Sequence, residues 1–193
     1  MAFISTVQEA EARGAVAEMY AASKKNMGYL PNYTQIFSHR PDVMEAWSTV
    51  RSQMDVRRYE LVALAAARAL HSSYCMLAHA SVLKNHRVFS DQELAAIGQD
   101  TSTAVLTPAE QAMMAYVEKV VLDATRISQE DVNQLKAHGF SDGQIFDITT
   151  TATARFFFSK TLDALGATAD DKYLDLDDSL RQALVVGRPI TQP

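Results

Sequence analysis

Glu60-Leu61-Val62-Ala63-Leu64-Ala65-Ala66-Ala67-Arg68-Ala69-Leu70, followed by His71-Ser72-Ser73-Tyr74-Cys75-Met76-Leu77-Ala78-His79, decides how this chain is read. The first run is built of alanine and leucine, the strongest helix formers, with no internal glycine or proline. Ser72 or Ser73 is a natural N-cap for a second helix reaching to about Asn85. Two helices joined by so tight a turn form an αα-hairpin, here spanning 60–86. With Ser72 as the cap, Cys75 falls at the third helical position. Unpaired backbone N–H groups and the positive end of the helix dipole favour a thiolate there. His79 is one turn further on the same face. If the chain turns near 71–72, Glu60 comes within roughly one turn of His79 across the hairpin, at ~1.5 Å rise per residue. A carboxylate orienting an imidazole that takes the thiol's proton is the arrangement of an activated nucleophile.

Each of these residues also has a purely structural reading. Cys75, the single cysteine, can be a small buried hydrophobe. Ser72 can be only a cap, and His79 a core histidine bonded to a carbonyl. Glu60 can complement its own helix dipole. Tyr74 is either an apolar plug beside the thiol or a phenol that binds a substrate oxygen. His71, Cys75 and His79 would form a metal stripe only on an unbroken helix, and no fourth ligand is evident, so no metal is expected. His39, His86 and His138 fall near expected helix ends, where surface or dipole roles suffice.

Outward from the hairpin the punctuation predicts helix after helix. Val7 to Asn26 reads as one, ended by Gly28. Pro31 and Pro41 break the chain. Ser90-Asp91-Gln92-Glu93 and Thr107-Pro108-Ala109-Glu110 have capping-box spacing. Ser128 precedes another start and His138-Gly139 closes it. Ser141 to Gln144 opens a long final helix ending near Leu165-Gly166. The β-branched run Thr149 to Thr153 lies within that helical frame. Phe156, Phe157 and Phe158 are expected mainly in a helix–helix core. Asp170-Asp171 and Asp175 to Asp178 read as a solvated tail. No period-two strand pattern appears, so the fold class is all-α.

Of 193 residues, 48% are hydrophobic and 21% charged, as in ordinary globular domains. The formal net charge of −5 offers no basic surface for nucleic acid. No apolar run approaches the roughly 20 residues that span a bilayer. The opening Met1-Ala2-Phe3-Ile4-Ser5 lacks a signal-peptide pattern. A reduced thiol in a cytoplasmic protein is the expectation.

Tyr59-Glu60 through His79 resembles the core motif of the alkylhydroperoxidase AhpD-like proteins, in the carboxymuconolactone decarboxylase superfamily. That motif sets a glutamate twelve residues before a C-x-x-C pair and a histidine four residues after the second cysteine. Glu60, Cys75 and His79 match; Ser72 stands at the first cysteine. Gly28-Tyr29-Leu30-Pro31-Asn32 resembles the opening segment of the peroxidase-related branch. Leu106 to Glu110 through Gly139 to Asp142 is similar to the downstream helices. Phe158-Ser159-Lys160 through Leu165-Gly166 is similar to the closing helix, but departs from its usual Asn-Arg pair. The similarity covers nearly the whole chain, implying one AhpD-like helical bundle over 1–193.

The resemblance implies a homo-oligomer, a dimer or larger, that needs no cofactor. It also implies hydroperoxide reduction in members with both cysteines, where the second attacks the peroxide and the first resolves the product as a disulfide. A hydroxyl at Ser72 cannot form that disulfide. The expected function is therefore a thiol-dependent alkyl hydroperoxidase of antioxidant defence with one redox cysteine. Cys75 is the nucleophile, His79 the base, Glu60 its orienting partner, and Ser72 or Tyr74 a donor to bound oxygen. An external thiol or redox protein is the expected reductant. The alternatives are a cofactor-free lyase or decarboxylase using Glu60 and His79, and a non-catalytic redox-sensing oligomer.

Overall fold

The structure, a computed structural model, describes residues 2–49 and 54–190. It contains helices α1 (Gly14–Met27), α2 (Asn32–Ile36), α3 (Pro41–Thr49), α4 (Val56–Ala69), α5 (Ser73–Asn85), α6 (Asp91–Gln99), α7 (Pro108–Asp123), α8 (Gln129–Ala137), α9 (Asp142–Ala164) and α10 (Asp178–Leu184). Short 3-10 turns supplement them. Among the described residues there is no strand, so the chain is all-α. No described helix is long and apolar enough to cross a membrane.

Helix α4 is the centre of the bundle. It packs against α5, α7 and α9, and every residue from Tyr59 to Ala67 is buried. A helix buried all round needs small side chains wherever neighbours approach, and Ala63, Ala65, Ala66 and Ala67 supply them. Asp55 caps it by accepting a hydrogen bond from the backbone of Arg58. Arg57 ties it to α7 through a two-pronged ion pair with Glu110, at 2.6 and 3.2 Å.

The hairpin turns where the spacing places it, through residues 70–72. The N–H of His71 bonds to the Arg68 carbonyl and the N–H of Ser72 to the Ala67 carbonyl. These are the two bonds of a Schellman motif. The left-handed position in it is His71, φ 57°, where glycine is usual. Arg87, φ 55°, plays the same part at the end of α5. Glycines hold that position after α8 and α9.

Several expectations are corrected. The first long helix starts at Gly14 rather than Val7, because a 3-10 turn at Glu9–Glu11 and extended backbone at Ala12 and Arg13 precede it. Helix α9 is not the last. The acidic stretch after it folds: Asp177 caps α10, whose Leu180 and Leu184 are buried, and Asp170 is itself buried. Beyond α10, residues 185–190 run back over the hairpin turn. His71 Nδ1 meets the Val186 carbonyl at 3.1 Å, and the Gly187 N–H donates to Ser73 Oγ at 2.9 Å. A Cβ at residue 187 would collide with the His71 carbonyl, so only glycine allows this approach. Of the three phenylalanines expected in the core, Phe158 is buried, whereas Phe156 and Phe157 are exposed on the outer face of α9.

Candidate active site

Helices α4 and α5 bring Glu60 and His79 together. His79 Nδ1–H donates to Glu60 Oε2 at 2.5 Å, inside the protein. Fixing the proton on Nδ1 makes Nε2 the basic nitrogen of a neutral ring. Glu60 is buried, and the imidazole gives its Oε2 a hydrogen-bond partner there.

Cys75 is the third residue of α5, after the N-cap Ser72. It is on the helix face that carries His79 one turn later. Cys75 is 2% exposed, but its sulfur is not set in hydrocarbon. Ser159 Oγ–H donates to Sγ at 3.2 Å, and an Arg155 Nη2–H points at Sγ from 3.6 Å. Both donors come from α9. Arg155 is 3% exposed, and its charge lies over the rings of Phe158 and Trp47, at 4.8 and 5.4 Å. Trp47 stacks on Phe158 at 4.3 Å, which holds α3 against this part of α9.

Arg155 and Ser159 are functional candidates that sequence reasoning missed. A signal existed. Ile145, Ile148, Ala152, Arg155, Ser159 and Leu162 repeat every three or four residues and are all buried. An arginine on the apolar stripe of a helix is seldom buried without a purpose.

Ser72 occupies the N-cap position, yet its hydroxyl makes no capping bond. Its Oγ is buried, and the acidic side chain it acts on is Asp163. Nearby Asp163 has its pKa raised, chiefly by burial, with the Ser72 hydroxyl and the charges of Lys160 and Arg188 opposing. Tyr74 is buried, and its phenol is engaged elsewhere. It donates to Asp170 Oδ2 at 2.7 Å and accepts from the Tyr33 N–H at 3.1 Å. Asp170 also accepts from the Tyr29 hydroxyl and the Asn32 N–H. Burial first, and the Asp170 charge second, push the Tyr74 hydroxyl well above its usual pKa. Among the described residues, no three His, Cys, Asp or Glu side chains gather as metal ligands.

Comparison with known proteins bears on the fold. Residues 41–119 match the model of the carboxymuconolactone decarboxylase family. No curated protein matches the chain significantly. Among solved structures, the chain is similar to an uncharacterized peroxidase-related protein of Ralstonia eutropha JMP134 with an alkylhydroperoxidase AhpD core. The TM-score is 0.80 and the identity 18%, over 89% of this chain and 94% of that one. It is also similar to a peroxidase-related protein of Silicibacter sp. TM1040, with TM-score 0.75 and 16% identity, over 90% and 91% of the two chains. A cysteine-to-alanine variant of the debrominase Bmp8, in complex with 2,3,4-tribromopyrrole, aligns with TM-score 0.69 and 15% identity, over 94% and 95%. The chain thus shares its all-α fold with AhpD-like, peroxidase-related proteins, and its residues 41–119, which include the hairpin, are similar to the carboxymuconolactone decarboxylase family.

Proposed function

We propose that this chain is a one-cysteine thiol hydroperoxidase. The observation that carries the reading is the polar setting of a buried sulfur. Ser159 and Arg155 both direct hydrogens at Cys75 Sγ, at the mouth of a helix. A nucleophilic sulfur needs such donors, and core filler does not. In the reaction, Sγ attacks a peroxide oxygen, the O–O bond breaks and an S–O bond forms. The thiol and R–O–O–H become sulfenic acid and alcohol, with sulfur oxidised by two electrons. The Glu60–His79 pair serves as the acceptor of the thiol's proton, which ends on the alcohol. One external thiol then condenses with the sulfenic acid, releasing water and leaving a mixed disulfide. A second frees Cys75. Ser72 cannot substitute for that thiol.

The test is consumption of an alkyl hydroperoxide by the purified chain with added thiol. Cys75→Ser is expected to abolish it; full turnover by that variant overturns the reading. The expected homo-oligomer belongs to the same proposal. Leu122, Phe146, Phe156 and Phe157 are an exposed apolar set on α7 and α9 that a second copy would cover.

A second reading has one observation in its favour. The Glu60–His79 bond is complete without the thiol, and a carboxylate–imidazole pair can transfer protons for a cofactor-free lyase. Activity that survives alkylation of Cys75 but is lost in His79→Ala would identify it.

A further inference from the structure

Resting on the peroxidase reading, we propose that Arg155 grips both atoms of the S–O bond as it forms. Nη2–H holds the sulfur and Nε–H holds the peroxide oxygen that the sulfur attacks. In a guanidinium, Nε–H and one Nη–H share an edge and point in parallel. This protein uses that edge elsewhere as a two-pronged clamp. Arg57 Nε and Nη2 each hold one oxygen of Glu110, and Arg40 Nε and Nη2 each hold one oxygen of Asp42. Arg155 presents the same edge inside the protein. Its Nη2 reaches Cys75 Sγ, while its Nε is buried with no hydrogen-bond partner. A buried donor left unpaired is costly unless something occupies it during function. An oxygen bonding to Sγ comes within reach of that second prong.

The step balances. Thiol and hydroperoxide give sulfenic acid and alcohol. Sulfur loses two electrons to the O–O bond, and the thiol proton ends on the departing alkoxide. Ser159 supplies a further O–H to the sulfur. Arg155 is then a catalytic residue rather than a remote support, since it touches the reacting sulfur and the incoming oxygen.

The test compares two reactions of the same thiol in the full chain: oxidation by cumene hydroperoxide and alkylation by iodoacetamide. Intact mass reads each product. Arg155→Met removes charge and clamp; Arg155→Lys keeps the charge but loses the parallel edge. Loosening of the fold or loss of charge alone would shift both reactions together. The clamp acts only on oxygen transfer. The ratio of oxidation rate to alkylation rate is therefore expected to fall about tenfold or more in both variants, as loss of a charge-assisted hydrogen bond predicts. A ratio unchanged in Arg155→Lys overturns the clamp, whatever the Met variant does. A wild-type thiol that alkylates but never gains oxygen refutes the peroxidase reading instead.

Discussion

His79 and Cys75 stand one turn apart on α5, yet they are partnered in opposite ways. His79 is paired within the hairpin, by Glu60 nineteen residues away. Cys75 is paired across the bundle, by Arg155 and Ser159, eighty and eighty-four residues away. The first pairing comes from local geometry, because two antiparallel helices with a tight turn must bring those positions together. The second comes from how a distant helix docks. The two halves should therefore respond differently to mutation: the hairpin pair should dominate stability, and the α9 donors should dominate reactivity.

The largest effect is expected on the hairpin side. His79→Ala leaves Glu60 buried without its partner and should cost about 3–5 kcal/mol in urea unfolding. Replacing Glu60 and His79 together by leucine should restore most of that loss, because an apolar pair needs no compensation. A double variant as unstable as the single one would break the comparison.

A smaller loss is expected at Tyr74→Phe, which deprives buried Asp170 of a 2.7 Å hydrogen bond. About 1–3 kcal/mol should be lost in thermal or urea unfolding. The ratio of oxidation to alkylation at Cys75 should hold. A raised KM for hydroperoxide at unchanged stability would instead put the phenol against substrate.

Ser159→Ala sharpens the other side. It should cost only about 1 kcal/mol of stability. Oxidation of Cys75 by peroxide should slow several-fold through loss of the O–H donated to sulfur, read by intact mass over time.

The smallest effect is a pH dependence. Burial raises the pKa of Asp163 above its ordinary 3.8, so the folded state holds that proton more tightly than the unfolded chain. This contribution to stability is complete below the ordinary value and is lost as pH rises through the raised one. Asp163→Asn should remove that fall, flattening stability against pH just above 3.8 and slightly raising the midpoint near neutrality. A steeper profile would contradict the assignment.

Much of the fold is legible in the chain. Ser90, Thr107 and Ser141 open helices with the capping boxes their spacing announces, since capping is a contact within four residues. Gly28 and Gly166 end helices in the left-handed conformation glycine tolerates. The ends at His71 and Arg87 carry no such mark: both residues are exposed, and the backbone hydrogen bonds of the Schellman turn, rather than glycine, accompany the left-handed conformation there. The acidic tail misleads for a related reason. Charge pattern alone says solvated, but Asp170 is enclosed by the hydroxyls of Tyr29 and Tyr74, which lie more than ninety residues away in sequence.

By itself, the sequence determined the hairpin, the position of Cys75 at the start of its second helix, and the nearness of Glu60 to His79. Each follows from helical rise and one short turn. Tertiary structure alone decided what faces the sulfur. That choice depends on the register and depth at which α9 packs against the hairpin, set by many apolar contacts at once. Only in that docked position do a guanidinium and a hydroxyl meet the thiol.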